Sequence, residues 1–293
     1  MKICVSCGNR YDSPDWQCPS CHSSPQMIDG FVAFAPDLSQ ENDGFNVDDF
    51  AKLAPLEATN FWFRARNKLI LWALTQYYPG INNFLEIGCG TGYVLSGIEQ
   101  AFPDLELYAS DLHASGLGYA DSRITRSSLF QMDAREIPFE EEFDLIGAFD
   151  VLEHIADDER VLAEIYRAVR PGGGIILTVP QHQFLWSQAD TRACHERRYS
   201  ADDLKRKVED VGFTIEMSTS FVFLLLPIMM LSRLIQRDMN SSHDQLAELK
   251  IGGLTNLVLE KVLDLERLLI RFGFRLPVGG SRMLIARKEL TTK

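Results

Sequence analysis

Short apolar runs alternate with amphipathic stretches between residues 81 and 218 of this chain of 293 residues. The runs are Phe84–Ile87, Leu105–Ala109, Leu129–Met132, Phe143–Phe149 and Ile175–Val179. Between the last two, apolar residues recur every three or four positions from Val161 to Val169, which predicts a helix that ends at Pro171. Strands and helices that alternate at this spacing predict an α/β fold, a parallel sheet with helices on both faces.

The flanking residues extend this pattern. Ser200 and Asp203 form a capping box that opens a further helix. Residues 213–218 and 282–288 alternate like strands, and residues 221–280 between them are helical and unusually apolar, as expected of an insertion.

Composition and charge limit the classes of function. Apolar residues make up 46% and charged residues 24%, which is typical of a soluble globular protein. A net charge of -12 argues against a large nucleic-acid surface, although it leaves room for a local basic groove. The longest apolar run, eleven residues from Phe221 to Leu231, falls short of the ~20 that a bilayer span needs. Because the first ten residues lack an apolar leader, we expect a cytoplasmic protein.

Four of the six cysteines lie within the first 21 residues, as two C-x2-C pairs that are ten residues apart: Cys4, Cys7, Cys18 and Cys21. Two such turns aim four sulfurs at one point, which predicts a structural Zn²⁺ site in a zinc ribbon over residues 1–30. The segment is too short for a core, so the metal must supply its folding energy. Unrelated thiols or a redox pair are the alternative. With few basic residues, the ribbon favours protein docking or packing over nucleic-acid binding.

A glycine-rich turn follows the first strand, with glycines at 88, 90 and 92, and opens a helix. Asp111 ends the second strand and Asp133 follows the third. Because the carboxyl ends of parallel strands share one edge of a sheet, we expect all of them to meet at one ligand. The turn lacks the third-glycine spacing of a dinucleotide fingerprint and the lysine of a phosphate-binding loop. A nucleoside without a pyrophosphate fits better.

Five motifs in order carry a family resemblance. They are LEIGCGTG (85–92), the strand ending at Asp111, MDA (132–134), FDLIGAFDVLEHI (143–155) and VRPGGGIILTVP (169–180). They resemble the motifs of class I S-adenosylmethionine-dependent methyltransferases, most of all the branch with the quinone-biosynthesis and small-molecule enzymes. The resemblance implies a Rossmann-like, doubly wound, mostly parallel seven-stranded sheet with a C-terminal antiparallel strand. The implied domain covers 81–220 and 281–293, after a helical lead-in or lid (31–80) and around the helical insertion (221–280).

The same resemblance implies that ten residues bind S-adenosylmethionine at its methionine end, its ribose and its adenine. In that order they are Glu86, Gly88, Gly90, Gly92, Asp150 and Arg66; then Asp111; then Leu112, Asp133 and Ala134.

Three residues are candidates on the acceptor side. His154 follows the fourth strand, where it is either a base or substrate contact or a packing residue. The stretch from Val179 to Tyr199 resembles an acceptor-covering loop of a bacterial methyltransferase subgroup, and His195 and Tyr199 are its polar candidates.

We therefore expect an enzyme that methylates a small-molecule or lipid-linked metabolite. The alternatives are an rRNA methyltransferase, because zinc ribbons also precede such domains, and a catalytically idle docking module. Basic residues beside apolar helix faces in 221–275 suit peripheral contact with a membrane. Packing against the sheet or a dimer interface is the other explanation of that insertion.

Overall fold

The computed structural model describes residues 1–39, 48–237 and 251–290. The strands are β1 (Lys2–Ile3), β2 (Arg10–Tyr11), β3 (Gln26–Ile28), β4 (Phe31–Ala33), β5 (Asn83–Ile87), β6 (Glu106–Asp111), β7 (Ser127–Gln131), β8 (Phe143–Phe149), β9 (Val169–Pro180), β10 (Phe213–Phe221) and β11 (Ser281–Lys288). The α-helices are α1 (Asp48–Glu57), α2 (Phe61–Tyr77), α3 (Tyr93–Ala101), α4 (Ala114–Arg123), α5 (Asp158–Ala168), α6 (Gln188–Arg192), α7 (Ala201–Asp210), α8 (Leu226–Arg237) and α9 (Gly253–Arg271). Parts of the predicted lead-in (40–47), insertion and membrane-contact segment (238–250) and C-terminus (291–293) lie outside the described residues.

One sheet organises the chain, with the strand order β10-β11-β9-β8-β5-β6-β7-β4-β3. Strands β9, β8, β5, β6 and β7 are parallel, and β11 runs antiparallel to both β9 and β10. This confirms the Rossmann-like α/β fold with a C-terminal antiparallel strand. The order reverses between β5 and β8, where a crevice opens at the carboxyl ends of the strands.

The sheet has two strands beyond the predicted seven. β3 and β4 form an antiparallel hairpin, and β4 adds in parallel to β7 through Val32 and Ala33. The hairpin therefore covers an edge of the sheet that β7 would otherwise expose.

Both faces of the sheet are buried, which explains why its strands read as continuous apolar runs. Phe84 packs with the helices α2, α3 and α4 on one face, whereas the next residue, Leu85, packs with α5 and α7 on the other. Leu145 and Ile146 of β8 divide in the same way. Successive side chains of a strand point to opposite faces, so one run fills two cores.

The cysteine-bearing segment docks on the face that carries α5 and α7. The Ile3 amide donates to the Pro138 carbonyl at 2.9 Å, and the Trp16 ring packs edge-on against Phe34 and Phe130. Lys2 lies over the same indole at 4.1 Å. Aromatic packing and backbone hydrogen bonds thus join this segment to the main sheet.

Helix α9 packs against α2, with Lys68 of α2 paired to Glu260 and Asp264. Its Glu266 accepts backbone hydrogen bonds from three consecutive residues, Val222, Phe223 and Leu224. These contacts fix one face of α9 on the domain. In the described ranges no helix is long and apolar enough to cross a bilayer.

Candidate functional site

A cavity of about 400 Å³ opens at the carboxyl ends of β5, β6 and β8. Ten of the predicted site residues line it: Arg66, Gly88, Gly90, Asp111, Leu112, Asp133, Ala134, Asp150, His154 and His195. Glu86 and Gly92 lie behind its wall, and Tyr199 lies elsewhere. The strand-end geometry thus brings most of the predicted set to one place.

The turn after β5 needs glycine where its backbone is left-handed and crowded. Gly88 has φ 66°, and a Cβ there would lie 2.5 Å from a methyl carbon of Val151. Gly92, the N-cap of α3, has φ 73°, and its Cβ would lie 2.9 Å from the Cα of Ala120. Side chains at either position would strain the backbone and collide with a neighbour.

Asp111 ties the glycine turn to the end of β6. Its carboxylate accepts the Gly90 amide at 2.8 Å and the His113 amide at 2.9 Å. Burial raises the pKa of Asp111, and these backbone donors oppose the rise. The Asp111 side chain therefore holds the glycine turn in place. The resemblance implies that the same carboxylate also binds the ribose of the cofactor.

Glu86 carries a buried carboxyl oxygen, Oε2, that accepts no hydrogen bond within the described part of the chain. Burial raises the pKa of Glu86 to about 8, although the charge of Arg66 counteracts it. An orphaned acceptor of this kind beside a cavity is the expected sign of a missing donor.

Arg66 links helix α2 to the end of β8. Its guanidinium pairs with Asp150 and lies over the Trp62 ring at 4.5 Å, while its Nε is buried with no acceptor among the residues that the structure describes. Asp150 has φ 59°, which is unusual for a residue other than glycine, and its amide donates to Thr178 at 2.9 Å. The sequence resemblance assigned both residues to the methionine end of the cofactor, and the structure pairs them.

Asp133 and Leu112 also line the cavity. The Asp133 carboxylate accepts the Arg135 amide at 2.8 Å and its Nε at 3.0 Å. Leu112, Phe50 and Ala134 contribute apolar surface to its lining. The pattern suits a flat heterocycle whose edge carries an amino group.

His154 and His195 meet beside the Asp150 end, with ring centroids 4.7 Å apart. The Nδ1 atom of His195 lies 3.0 Å from an oxygen of Asp190, to which Arg198 also donates at 2.7 Å. Despite burial, these two hydrogen bonds lower the pKa of Asp190. The resulting carboxylate orients the His195 ring.

The structure corrects the prediction for Tyr199. Its side chain is 1% exposed, and its hydroxyl donates to Asp158 at 2.5 Å in the core beside α5 and α7. Burial raises the pKa of this phenol far above its ordinary value. Tyr199 therefore anchors the end of the loop and does not reach the cavity, because the chain enters α7 with this side chain turned inward.

Sequence reasoning missed a contact between α1 and the glycine turn. The Thr91 hydroxyl donates to Glu57 at 2.7 Å, and Arg123 of α4 donates to both residues at 2.7 and 2.9 Å. Phe50, on the same helix, also lines the cavity. Thr91 lies inside the glycine motif and could have drawn attention to this contact, but its partners are 34 and 32 positions away in the sequence.

The four N-terminal thiols converge. Cys4 Sγ lies 3.6 Å from Cys21 Sγ, and Cys7 Sγ lies 3.7 Å from Cys18 Sγ. All four sulfurs are within 4.8 Å of one another, a donor set and spacing that fit a tetrahedral zinc ion.

Comparisons with known proteins agree with this geometry. Residues 85–177 match the family model of the methyltransferase domain. A "Probable S-adenosylmethionine-dependent methyltransferase" of Mycobacterium tuberculosis is 26% identical over 197 residues, 62% of this chain and 70% of that protein. The malonyl-[acyl-carrier protein] O-methyltransferase of Priestia megaterium is 27% identical over 114 residues, 38% of this chain and 42% of that protein.

The fold is shared with solved structures at low sequence identity. One is a chain of the complex between the Haloferax volcanii Trm112 methyltransferase activator and a methyltransferase. The TM-score is 0.55 at 15% identity, and the match covers 84% of this chain and 98% of that chain.

Proposed function

We propose that the chain is a class I S-adenosylmethionine-dependent methyltransferase that methylates a small-molecule or lipid-linked metabolite, as its match to the methyltransferase-domain model and its similarity to the Mycobacterium tuberculosis relative support. The observation that carries the proposal is the cavity itself, which is lined by the glycine turn and Asp111 and also by the His154–His195 pair. One cavity thus offers side chains suited to a cofactor together with polar side chains suited to an acceptor.

The residues present fit S-adenosylmethionine. The unpaired oxygen of Glu86 and the unpaired Nε of Arg66 are suited to the amino and carboxylate groups of its methionine end. The acidic side chains of Asp111 and Asp150 also favour a cationic ligand. When bound, the cofactor supplies a methyl group on a sulfonium, whose C–S bond breaks with its electron pair going to sulfur as the acceptor's lone pair forms the new bond.

The chain itself positions the acceptor. Methyl transfer is an in-line displacement, so catalysis depends on holding the nucleophilic atom close to the methyl carbon. Asp190 fixes the ring of His195 through Nδ1, which leaves its other nitrogen for the acceptor side. We assign His154 and His195 to this role.

Small metabolites are favoured over ribosomal RNA by the charge of the molecule. The chain carries 41 acidic and 29 basic residues. A nucleic-acid substrate requires a cluster of cations along the path of its phosphates. Malonyl groups on a carrier protein are the acceptor named for one relative, and quinone-type acceptors belong to the branch that the sequence resembles.

Calorimetry with S-adenosylhomocysteine tests the cofactor site. We expect micromolar binding to the full chain and at least a tenfold loss in Asp111→Asn, because its carboxylate shapes the turn. Asp121→Asn is the matched control, since Asp121 is exposed on α4. No binding to the unmodified chain, or equal binding to both variants, would contradict the proposal.

A lipid-linked acceptor is supported by the outer face of α9. Leu254, Val258, Leu265, Leu268 and Phe272 recur at helical spacing on one stripe, and all are at least 44% exposed. Lys261 interrupts the stripe, and Arg271 and Arg275 are exposed nearby. Apolar side chains beside basic ones suit the surface of an anionic membrane.

Co-sedimentation with liposomes of phosphatidylcholine and phosphatidylglycerol tests this surface. We expect binding that Leu265→Glu with Leu268→Glu abolishes and that Glu209→Gln, an exposed residue of α7, leaves unchanged. Equal binding of both variants, or none by the parent chain, would remove the support for a membrane-borne acceptor.

We further propose that the four N-terminal cysteines hold a structural zinc ion, as their convergence within 4.8 Å supports. Its role is to fold a segment that docks on the sheet through Ile3 and Trp16.

A further inference from the structure

A second set of metal-ligating side chains lies at the acceptor end of the cavity. Glu153, His154 and His195 each offer one ligand atom, and these atoms all lie within 4.8 Å of one another. The two histidines line the cavity, whereas Glu153 lies fully buried behind them. Two come from the short 3-10 helix Leu152–His154 after β8, and His195 comes from the loop before α7.

Glu153 is the unusual member of this set. It is 0% exposed, yet neither of its carboxyl oxygens has a hydrogen-bond partner within the described ranges. A buried carboxylate without a donor is costly, and a bound cation offsets that cost.

The imidazole of His195 is hydrogen-bonded to a carboxylate, as histidine ligands in protein metal sites commonly are. Its Nδ1 lies beside the Asp190 carboxylate, which also accepts a hydrogen bond from Arg198. The backbone amide of His195 donates to the Asp190 carbonyl at 2.9 Å. The Glu196 amide donates to the Glu153 carbonyl at 2.7 Å, which ties the two loops together. A carboxylate behind a histidine fixes the ring and raises its basicity toward a metal.

We propose that Glu153, His154 and His195 bind a divalent transition-metal ion at the acceptor side of the cavity. Two imidazoles and one carboxylate select first-row ions such as Fe²⁺, Mn²⁺, Co²⁺ or Zn²⁺ over Mg²⁺ and Ca²⁺, which prefer oxygen ligands alone. Three protein ligands leave positions open toward the cavity. The site is separate from the cysteine site, whose four sulfurs complete a tetrahedron.

This inference rests on the proposed methyl transfer and narrows its acceptor to an oxygen compound. A hydroxyl or enol oxygen bound to the metal loses its proton to solvent, and the resulting oxyanion is the nucleophile. A lone pair of this oxyanion forms the O–CH₃ bond while the S–CH₃ bond breaks, and the electron pair of that bond goes to sulfur. The two histidines then act on the acceptor through the ion.

Metal binding can be measured without turnover. The full chain, with zinc in the cysteine site and loose metal removed, is titrated with Mn²⁺, and the paramagnetic resonance signal reports the free ion. Mn²⁺ is chosen because it disfavours thiolates. We expect about one bound ion per chain, a loss of at least tenfold in affinity in Glu153→Gln and His195→Asn, and a loss of about 10–100-fold in Asp190→Asn.

The matched control is His182→Asn, which changes a histidine outside the cluster whose backbone φ of 65° asparagine tolerates. Binding of S-adenosylhomocysteine by each variant reports whether the domain is intact. No Mn²⁺ binding by the parent chain, or equal binding by Glu153→Gln, His195→Asn and His182→Asn, overturns the metal site. Failure to bind S-adenosylhomocysteine would instead overturn the proposed methyl transfer.

Discussion

Replacing Gly88 by alanine tests whether the cofactor turn depends on its fit against Val151. The residue has φ 66°, and the added Cβ would lie 2.5 Å from one Val151 methyl carbon and 3.2 Å from the other. The left-handed backbone costs about 1–2 kcal/mol with a side chain, and overpacking costs about 1–3 kcal/mol. Together they predict a loss of about 2–5 kcal/mol in the free energy of unfolding.

The two contributions can be separated. Val151→Ala removes both colliding methyl groups, so the double variant should regain the overpacking part and keep only the backbone part. The expected coupling energy is therefore about 1–3 kcal/mol in favour of the pair. Gly118→Ala is the control, because an added Cβ on this glycine of α4 would meet no heavy atom within 4 Å among the described residues. It should stabilise the chain by about 0.5–1 kcal/mol.

Urea denaturation followed by tryptophan fluorescence measures all four variants. A Gly88→Ala protein within about 0.5 kcal/mol of the parent, the usual range of neutral surface changes, would refute the steric argument. The steric argument would also be refuted if the stability losses of Gly88→Ala and Val151→Ala were simply additive in the double variant. S-adenosylhomocysteine affinity should fall in Gly88→Ala and remain unchanged in Gly118→Ala.

Three further outcomes are expected. Burial raises the pKa of Glu86 to about 8 in the folded chain, compared with about 4.3 in the unfolded chain. The resulting contribution to stability is fully present below about pH 4.3 and is lost as the pH rises toward 8, so the melting temperature should fall over this range. Glu86→Gln should flatten this fall, and parallel curves of melting temperature against pH for the variant and the parent would contradict the prediction. Tyr199→Phe removes a buried hydrogen bond to Asp158 and should lower stability by about 1.5–3 kcal/mol with kcat unchanged; a large drop in kcat would place the phenol back in the site. Cys18→Ser, or chelation, should lower the zinc content measured by mass spectrometry and make residues 1–23 sensitive to protease; unchanged zinc and protection would count against the S4 site.

The strands and their ligand-facing ends were predictable because both follow from short-range patterns. A strand buried on both faces is mostly apolar, and the acidic residue that follows its apolar run marks where the chain leaves the sheet. That pattern located Asp111 and Asp133, and both line the cavity. Capping residues act in the same local way, as the Ser200 hydroxyl at the start of α7 shows.

Other features depend on contacts that the sequence does not display. The three-residue strands β3 and β4 are too short for an alternating pattern, and β4 joins the main sheet at the edge that β7 offers. Tyr199 belongs to a suitable loop, but the direction of its side chain is set by Asp158, 41 positions away. Glu153 lies inside a family motif, and its proximity to His195 requires the loop before α7 to return over β8.

The pairing of β4 with β7 sets an order of events during synthesis. The hairpin leaves the ribosome early, yet its partner Gln131, which also bonds Ala35, follows 96 positions later. Loop closure over such a separation is slow compared with the local closure of β1 on β2. We therefore expect the hairpin to pair with β7 only after β5, β6 and β7 have assembled, so that its docking completes the sheet edge late in folding.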